Sequence, residues 1–271
     1  MLDLDTTNTK KQYEELGFCS LSNLIKPYYL ENIEQALRSL IWAAASRLPK
    51  EKKEHFYGCN FDDSSLLHQG MITLYELDPK LESYVVDGIC NSRVLYDLIT
   101  DDGIGELSSK LIGIDPQNLS MGYLFMRVDL PDSFDDHRKK IRLPYHQESS
   151  YFRYNLSAES GLVLWIPLFD CTPEDGSLEV CIGSHKQGMI EHDSFYANPE
   201  LKRHLRTFVN DDITKQYQQH TMNVKRGSVT VQHFSLLHRS GSNIRQNRVR
   251  YTMLARCSNL LASDFLPISW K

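Results

Sequence analysis

The feature that most constrains this chain is a change of character after about Leu119. From there, short runs rich in β-branched and aromatic residues follow one another: Met121–Val128, Gly161–Leu168, Ser177–Ile182, Ser228–Phe234 and Val249–Ala255. Turn clusters separate them, such as Pro131-Asp132-Ser133, Pro173-Glu174-Asp175-Gly176 and Gly241-Ser242-Asn243. Many short strands interrupted by turns predict a barrel or a two-sheet sandwich, the arrangements that leave few open sheet edges. The preceding third reads as helix. In Asn23–Ser46, apolar residues fall at Leu24, Ile25, Leu30, Ile33, Leu37, Leu40, Ile41 and Ala44, and Pro27 stands near the start, where a helix tolerates it. A second helix is expected around Asn91–Ile99. Stripes of this kind are packing surfaces. The expectation is one mainly β, α+β domain over residues 1–271, with a mostly helical layer (1–118) on a β core (119–260). The polar stretch Met189–Met222 is expected to be an insertion or a helical excursion.

Composition narrows the function classes. Of 271 residues, 30 are Lys or Arg and 35 are Asp or Glu, for a formal net charge of −5. That balance argues against a protein built to coat nucleic acid or anionic membrane. The most apolar stretches, Leu40–Ala45 and Gly161–Phe169, fall well short of the roughly 20 residues a membrane-spanning helix needs. The first residues, MLDLDTTNTKKQYEE, lack the apolar core of a secretory signal. Six scattered cysteines with no CxxC pair read as reduced thiols of a cytoplasmic protein. They also argue against a thiolate zinc site or an iron–sulfur cluster.

The residues that carry chemistry centre on Leu143-Pro144-Tyr145-His146-Gln147-Glu148. Read as a strand, positions i and i+2 share a face, so His146 and Glu148 would project into one cavity. His238 closes the apolar run Val229–Leu237. Two histidines and a carboxylate on one face of a metal leave the other face open, which is the facial triad of non-haem Fe(II) oxygenases. Alone, an H-x-E is a weak signal, since most His–Glu pairs are surface ion pairs.

In context, the sequence resembles the phytanoyl-CoA dioxygenase family of Fe(II)/2-oxoglutarate-dependent oxygenases. Four stretches over roughly residues 11 to 256 carry the resemblance, in order. They are the opening KQYEELGFCSLSNL at Lys11–Leu24; His146-Gln147-Glu148; the run Val163–Leu168, Glu174–Leu178 and Gly183-Ser184-His185; and His238-Arg239-Ser240-Gly241-Ser242-Asn243 followed by Arg248. The resemblance implies a double-stranded β-helix (jelly-roll, cupin-like) core, with Fe(II) on His146, Glu148 and His238 at its open end. It implies 2-oxoglutarate as cofactor, O2 and a small molecule as co-substrates, and hydroxylation of an unactivated C–H bond with release of succinate and CO2. One departure stands out. The family usually has Asp where this chain has Glu148, and the presence of any carboxylate there argues against halogenation.

The second histidine and the arginine need separate arguments. His233 and His238 differ by five positions, so in an unbulged strand only one faces the cavity. The Ser-Gly-x-Asn after His238 fits the family resemblance, which implies His238 as ligand and leaves His233 as a core residue or one that supports the ligands. His185 is expected to be a structural loop residue. The distal carboxylate of 2-oxoglutarate wants a guanidinium partner. Arg248 and Arg250 would share a strand face, so parity cannot separate them. The resemblance, allowing for a turn one residue shorter than is usual in the family, favours Arg248, and Arg250, Arg245 and Arg256 are then expected as exposed strand arginines. Further cofactor contacts are expected at Ser240, Trp165, Gln147 and Met126, and substrate contacts at Tyr151, Arg153 and Arg142. The oligomer is expected to be a monomer or a small homo-oligomer. Two competing readings are a catalytically inactive family member acting as a binding module, and a cupin-type metal isomerase or hydrolase that needs no oxoglutarate arginine.

Overall fold

A computed structural model of the chain describes residues 6–134, 143–152, 156–198 and 203–267. The first part is helical: α1 (Thr6–Leu16), α2 (Pro27–Ala45), α3 (Lys50–Gly58), α4 (Asp63–Ser65), α5 (Met71–Leu77), α6 (Pro79–Cys90), α7 (Arg93–Ile99) and α8 (Asp102–Ile112), with one strand, β1 (Phe18–Leu21), after α1. A π-helical turn, Leu66–Gly70, joins α4 to α5. In α2, Pro27 is the first helical residue, and Leu30, Ile33, Leu37, Ile41 and Ala44 form the buried stripe. Fully burying each of the larger ones contributes about 1.5–3 kcal/mol, which is what holds the layer down.

The second part supplies β2 (Leu119–Asp129), β3 (Leu162–Pro167), β4 (Leu178–Cys181), β5 (Asp193–Asn198), β6 (Arg203–Phe208), β7 (Gln219–Thr221), β8 (Val229–His233), β9 (His238–Ser240) and β10 (Arg250–Asn259). An antiparallel sheet runs β1-β8-β3-β10-β2, and a smaller one runs β7-β4-β9. In the polar stretch Met189–Met222, expected as an insertion or a helical excursion, the described residues form the two-stranded β5–β6 hairpin, the short helix α9 (Asp211–Thr214) and β7.

The five-stranded sheet is covered on both faces, so every residue of β3 is buried. Leu162, Leu164 and Ile166 of β3, Val229 and Val231 of β8, and Tyr251, Met253, Ala255 and Cys257 of β10 pack with the helices in the main core. The alternate residues turn the other way. Trp165 of β3 and Phe18 of β1 meet Leu178 and Val180 of β4 in a second core between the two sheets. This is the jelly-roll with a helical layer on its outer face. The turn into β4 depends on Gly176, whose φ is +75°; a Cβ there would stand 2.8 Å from Asn243 N and from Gly241 O. The close approach locks that turn to the loop after β9.

Candidate metal centre

His146 lies outside any regular strand. It forms a single antiparallel bridge with His238, the first residue of β9, with N···O distances of 3.1 and 3.0 Å. The bridge sets the two imidazoles side by side, with ring centroids 4.4 Å apart. Each ring has its Nδ1 against a backbone carbonyl two residues upstream: His146 on Pro144 O at 2.7 Å, His238 on Leu236 O at 2.9 Å. A carbonyl only accepts, so each Nδ1 carries a hydrogen and Nε2 is the ring nitrogen available to a metal.

Glu148 opens a 3-10 turn, Glu148–Ser150, and its Oε2 stands 3.5 Å from His238 Nε2. The strand expected over Leu143–Glu148 is therefore absent, and a bridge plus a turn brings His146 and Glu148 together instead. The three side chains are buried, and their ligand atoms lie within 4.8 Å of one another. Among the described residues this is the one such group of three. Burial and the neighbouring His238 push His146 down to about 3, so its ring is neutral. Burial works against the Glu148 carboxylate, but the Arg256 guanidinium outweighs it and holds the group well below the usual range. Two imidazoles and one carboxylate are a donor set that suits a divalent transition metal.

The arginines fall out differently from the expectation. β10 begins at Arg250, so Arg248 lies in the loop and strand parity does not apply to it. Its side chain is 35% exposed, donates from Nη2 to Asp170 O at 2.7 Å, and approaches Asp175 at 3.4 Å. Arg250 is the buried one, 5% exposed, facing the interior of the roll. Its Nη2 reaches Asp129 Oδ2 at 2.6 Å and Ser240 Oγ at 3.1 Å, while Nη1 has no hydrogen-bond partner. Arg127 of β2 grips the same Asp129 through Nε at 2.8 and 2.9 Å. Two residues along β10, Thr252 Oγ1 is also buried without a hydrogen-bond partner. Unpartnered guanidinium and hydroxyl groups on one strand face are what a carboxylate can satisfy.

The remaining expected residues divide. Ser240 sits beside Arg250, and Trp165 lies in the core between the sheets. Gln147 is spent on the backbone: Nε2 donates to Gly188 O (2.8 Å) and Ser235 O (2.6 Å), and Oε1 accepts from Ile190 N (2.8 Å). It ties loops behind the histidines rather than reaching the cavity. Met126 is on the wrong face of β2, buried in the helix-side core while Arg127 turns inward. Tyr151 packs edge-on against the His146 ring at 5.3 Å, and its hydroxyl accepts from Thr207 N at 2.9 Å. It also lines a cavity of about 660 Å³ with Ser150, Ile190, His192, Leu205 and Thr207. Arg142 and Arg153 lie outside the described residues. His185 and His233 face each other across 5.2 Å in a separate cavity of about 280 Å³ against α1 and α8.

Arg256 is the residue the sequence reading missed. Expected on the surface, it is 9% exposed and donates twice to Glu148 Oε1, from Nε at 2.8 Å and Nη2 at 2.6 Å. The signal was parity. Arg256 shares its strand face with Arg250, but the expected strand stopped at Ala255, whereas β10 runs to Asn259.

The sequence pattern of the family described as phytanoyl-CoA dioxygenase (PhyH) matches residues 13–250. The chain belongs to that family.

Solved structures agree in fold. The non-haem epimerase SnoN, solved with Fe3+, alpha ketoglutarate and nogalamycin RO, superposes with a TM-score of 0.61 at 15% identity, covering 94% of this chain and 83% of SnoN. EvdO2 from Micromonospora carbonacea var. aurantiaca, solved with 2-oxoglutarate, gives 0.56 at 16% identity over 100% and 97%. The non-haem monooxygenase ThoJ, as its nickel complex, gives 0.58 at 13% over 96% and 87%. Among curated protein sequences none matches the chain. No helix among the described residues is long and apolar enough to cross a membrane.

Proposed function

We propose that this phytanoyl-CoA dioxygenase family member is a working Fe(II)/2-oxoglutarate-dependent dioxygenase that hydroxylates an unactivated C–H bond of a small molecule. In the balanced reaction, substrate C–H, O2 and 2-oxoglutarate become C–OH, succinate and CO2. The observation that carries the reading is the buried His146–Glu148–His238 group, with both Nδ1 atoms tied to carbonyls and both Nε2 atoms left for a metal. Iron with 2-oxoglutarate supplies the oxidising power. The chain's residues bind, orient and exclude water.

In this reading His146, Glu148 and His238 hold Fe(II). Arg250, not Arg248, receives the distal carboxylate of 2-oxoglutarate through its spare Nη1, with Thr252 and Ser240 beside it. Asp129 and Arg127 hold the Arg250 side chain in place. Trp165 walls the same interior. The cavity beside Tyr151 takes the substrate, next to His146 and under the β5–β6 hairpin. SnoN and EvdO2, solved with 2-oxoglutarate, share the fold and support the assignment.

The test is anaerobic titration of 2-oxoglutarate into metal-free and Fe(II)-loaded protein, followed by a substrate screen reading succinate and product mass. Binding only to the loaded protein, and a product heavier by one oxygen, are expected. Binding without turnover on any substrate would point to the inactive-member reading, and no binding to the loaded protein would sink the assignment.

A further inference from the structure

We propose that Arg256 is a positioning residue that makes Glu148 a one-oxygen metal ligand, an inference that rests on the metal-binding reading above. The family usually has Asp at this position, and Glu brings an extra methylene and an extra rotatable bond. Left alone, such a carboxylate can swing away from the histidines or present both oxygens at once. Here it does neither. Both donors that Arg256 aims at Glu148 converge on Oε1, at 2.8 and 2.6 Å. The other oxygen, Oε2, is the one 3.5 Å from His238 Nε2. One oxygen is thus anchored, and the other is offered to the metal.

Arg256 is itself held on three sides. Its third nitrogen, Nη1, donates to Tyr123 O at 3.0 Å. That carbonyl is available because β2 bulges there: Leu254 pairs with Phe125, but Arg256 pairs with Gly122, so Tyr123 and Leu124 face one residue of β10. At the bulge Tyr123 takes a φ of +50°, a conformation that non-glycine residues adopt only when the surroundings demand it. The Tyr123 ring lies 4.4 Å from Phe152, and Phe152 roofs the Arg256 guanidinium at 4.9 Å. Phe152 comes four residues after Glu148, so the turn that presents the ligand also covers its anchor. A planar guanidinium with donors on three nitrogens suits this box, and a lysine ammonium cannot fill it.

Co(II), which binds such sites without consuming oxygen, serves as the probe, and its absorption bands report the coordination geometry. In Arg256→Met, Co(II) affinity should fall about 10- to 100-fold, the usual effect of removing an outer partner of a metal ligand. The Co(II) spectrum should change because both carboxylate oxygens become free to bind. Arg256→Lys, which keeps the charge but not the three-nitrogen fork, should also lower the affinity, by less than Arg256→Met, and carries the test alone if Arg256→Met does not fold by circular dichroism. Glu148→Asp should also weaken binding, although Asp is the family's usual residue, because the shorter arm cannot reach Arg256 and the metal together. In a Glu148→Ala background, Arg256→Met should cost nothing further. Wild-type affinity and spectrum in the Arg256 variants, or an equal loss in the Glu148→Ala background, would overturn the inference while leaving the metal site standing. Failure of the wild-type protein to bind Co(II) or Fe(II) at all would instead overturn the functional reading, and this inference with it.

Discussion

The two faces of β10 are built to opposite rules. Tyr251, Met253, Ala255 and Cys257 turn to the helices and disappear into an apolar core. The alternate positions turn inward and include Arg250, Thr252 and Arg256. The buried atoms of this strand without a hydrogen-bond partner, Arg250 Nη1, Thr252 Oγ1 and Ser258 Oγ, all belong to that alternate set. An unsatisfied buried polar group costs about 1–3 kcal/mol, so a cluster of them on one side of one strand needs a reason that packing does not supply. The outer face of the sheet stabilises the fold, and the inner face gives up part of that stability to polar groups that, in the proposed reading, meet a ligand. The two should therefore respond to mutation through different observables.

The largest effect is expected on the inner face. His146→Ala removes one of the three proposed ligands, and binding of 2-oxoglutarate to Fe(II)-treated protein should drop below detection in calorimetry, as it should for wild-type protein after chelation. Restoring Fe(II) should rescue the chelated wild type and not the variant. If the variant kept wild-type affinity, the triad would not be the metal site. Next comes the outer face. Met253→Ala empties space in a fully buried position between sheet and helices, and should cost about 2–5 kcal/mol in urea unfolding. Fe(II) affinity of the folded fraction should stay within about twofold of wild type. A large fall in metal affinity from Met253→Ala would show that the two faces are coupled, not separate.

How much of this division could be read from the residues alone differs along the chain. The helical layer was legible because the α2 stripe repeats at helical spacing, and the strands because their β-branched runs are bounded by turns. The triad was legible through a motif whose local geometry was read incorrectly. Glu148 faces the same way as His146 through a bridge and a 3-10 turn, not through strand alternation. Periodicity cannot see such a turn. Met126 shows the opposite failure. It stands in a genuine strand, but the phase of β2 relative to the two cores depends on the pairing with β10, a contact between segments more than a hundred residues apart. Arg256 combined both difficulties, since its inward direction follows from strand phase, and its partner sits on a distant turn.

The third expectation separates the two arginines that spacing alone could not. Arg250→Ala should weaken 2-oxoglutarate binding to the Fe(II)-loaded protein by about 10- to 100-fold, since hydrogen bonds to a charged group contribute roughly 1.5–3 kcal/mol. Arg248→Ala, which loses contacts to Asp170 and Asp175 at the surface turn, should change that affinity less than about threefold. Calorimetry on both variants decides the matter. The reverse ranking would return the role to Arg248, and would mean that Arg250 is merely the buried partner of Asp129.

The smallest expected effect concerns pH and the outer face. His68 sits in the π-helical turn before α5, 5.0 Å from the Phe169 ring, and its Nδ1 accepts from Val249 N at 3.3 Å. Burial, with the Arg248 charge nearby, brings it down to about 4. Its folded pKa lies below the unfolded value of about 6.5, so between these values the unfolded chain binds the extra proton. Stability from this group is therefore fully present above about pH 6.5 and is lost as pH falls towards 4. Protonation at Nδ1 would also remove the acceptor for Val249 N. For metal-free protein, the loss attributable to His68 between pH 7 and pH 5 should be roughly 1–2 kcal/mol. It is read as the difference in urea-unfolding free energy between wild type and His68→Gln at the two pH values, which cancels the other buried histidines. A His68→Gln variant that follows the wild-type pH dependence would place the acid sensitivity of the fold elsewhere, with the inner-face histidines as the next to test.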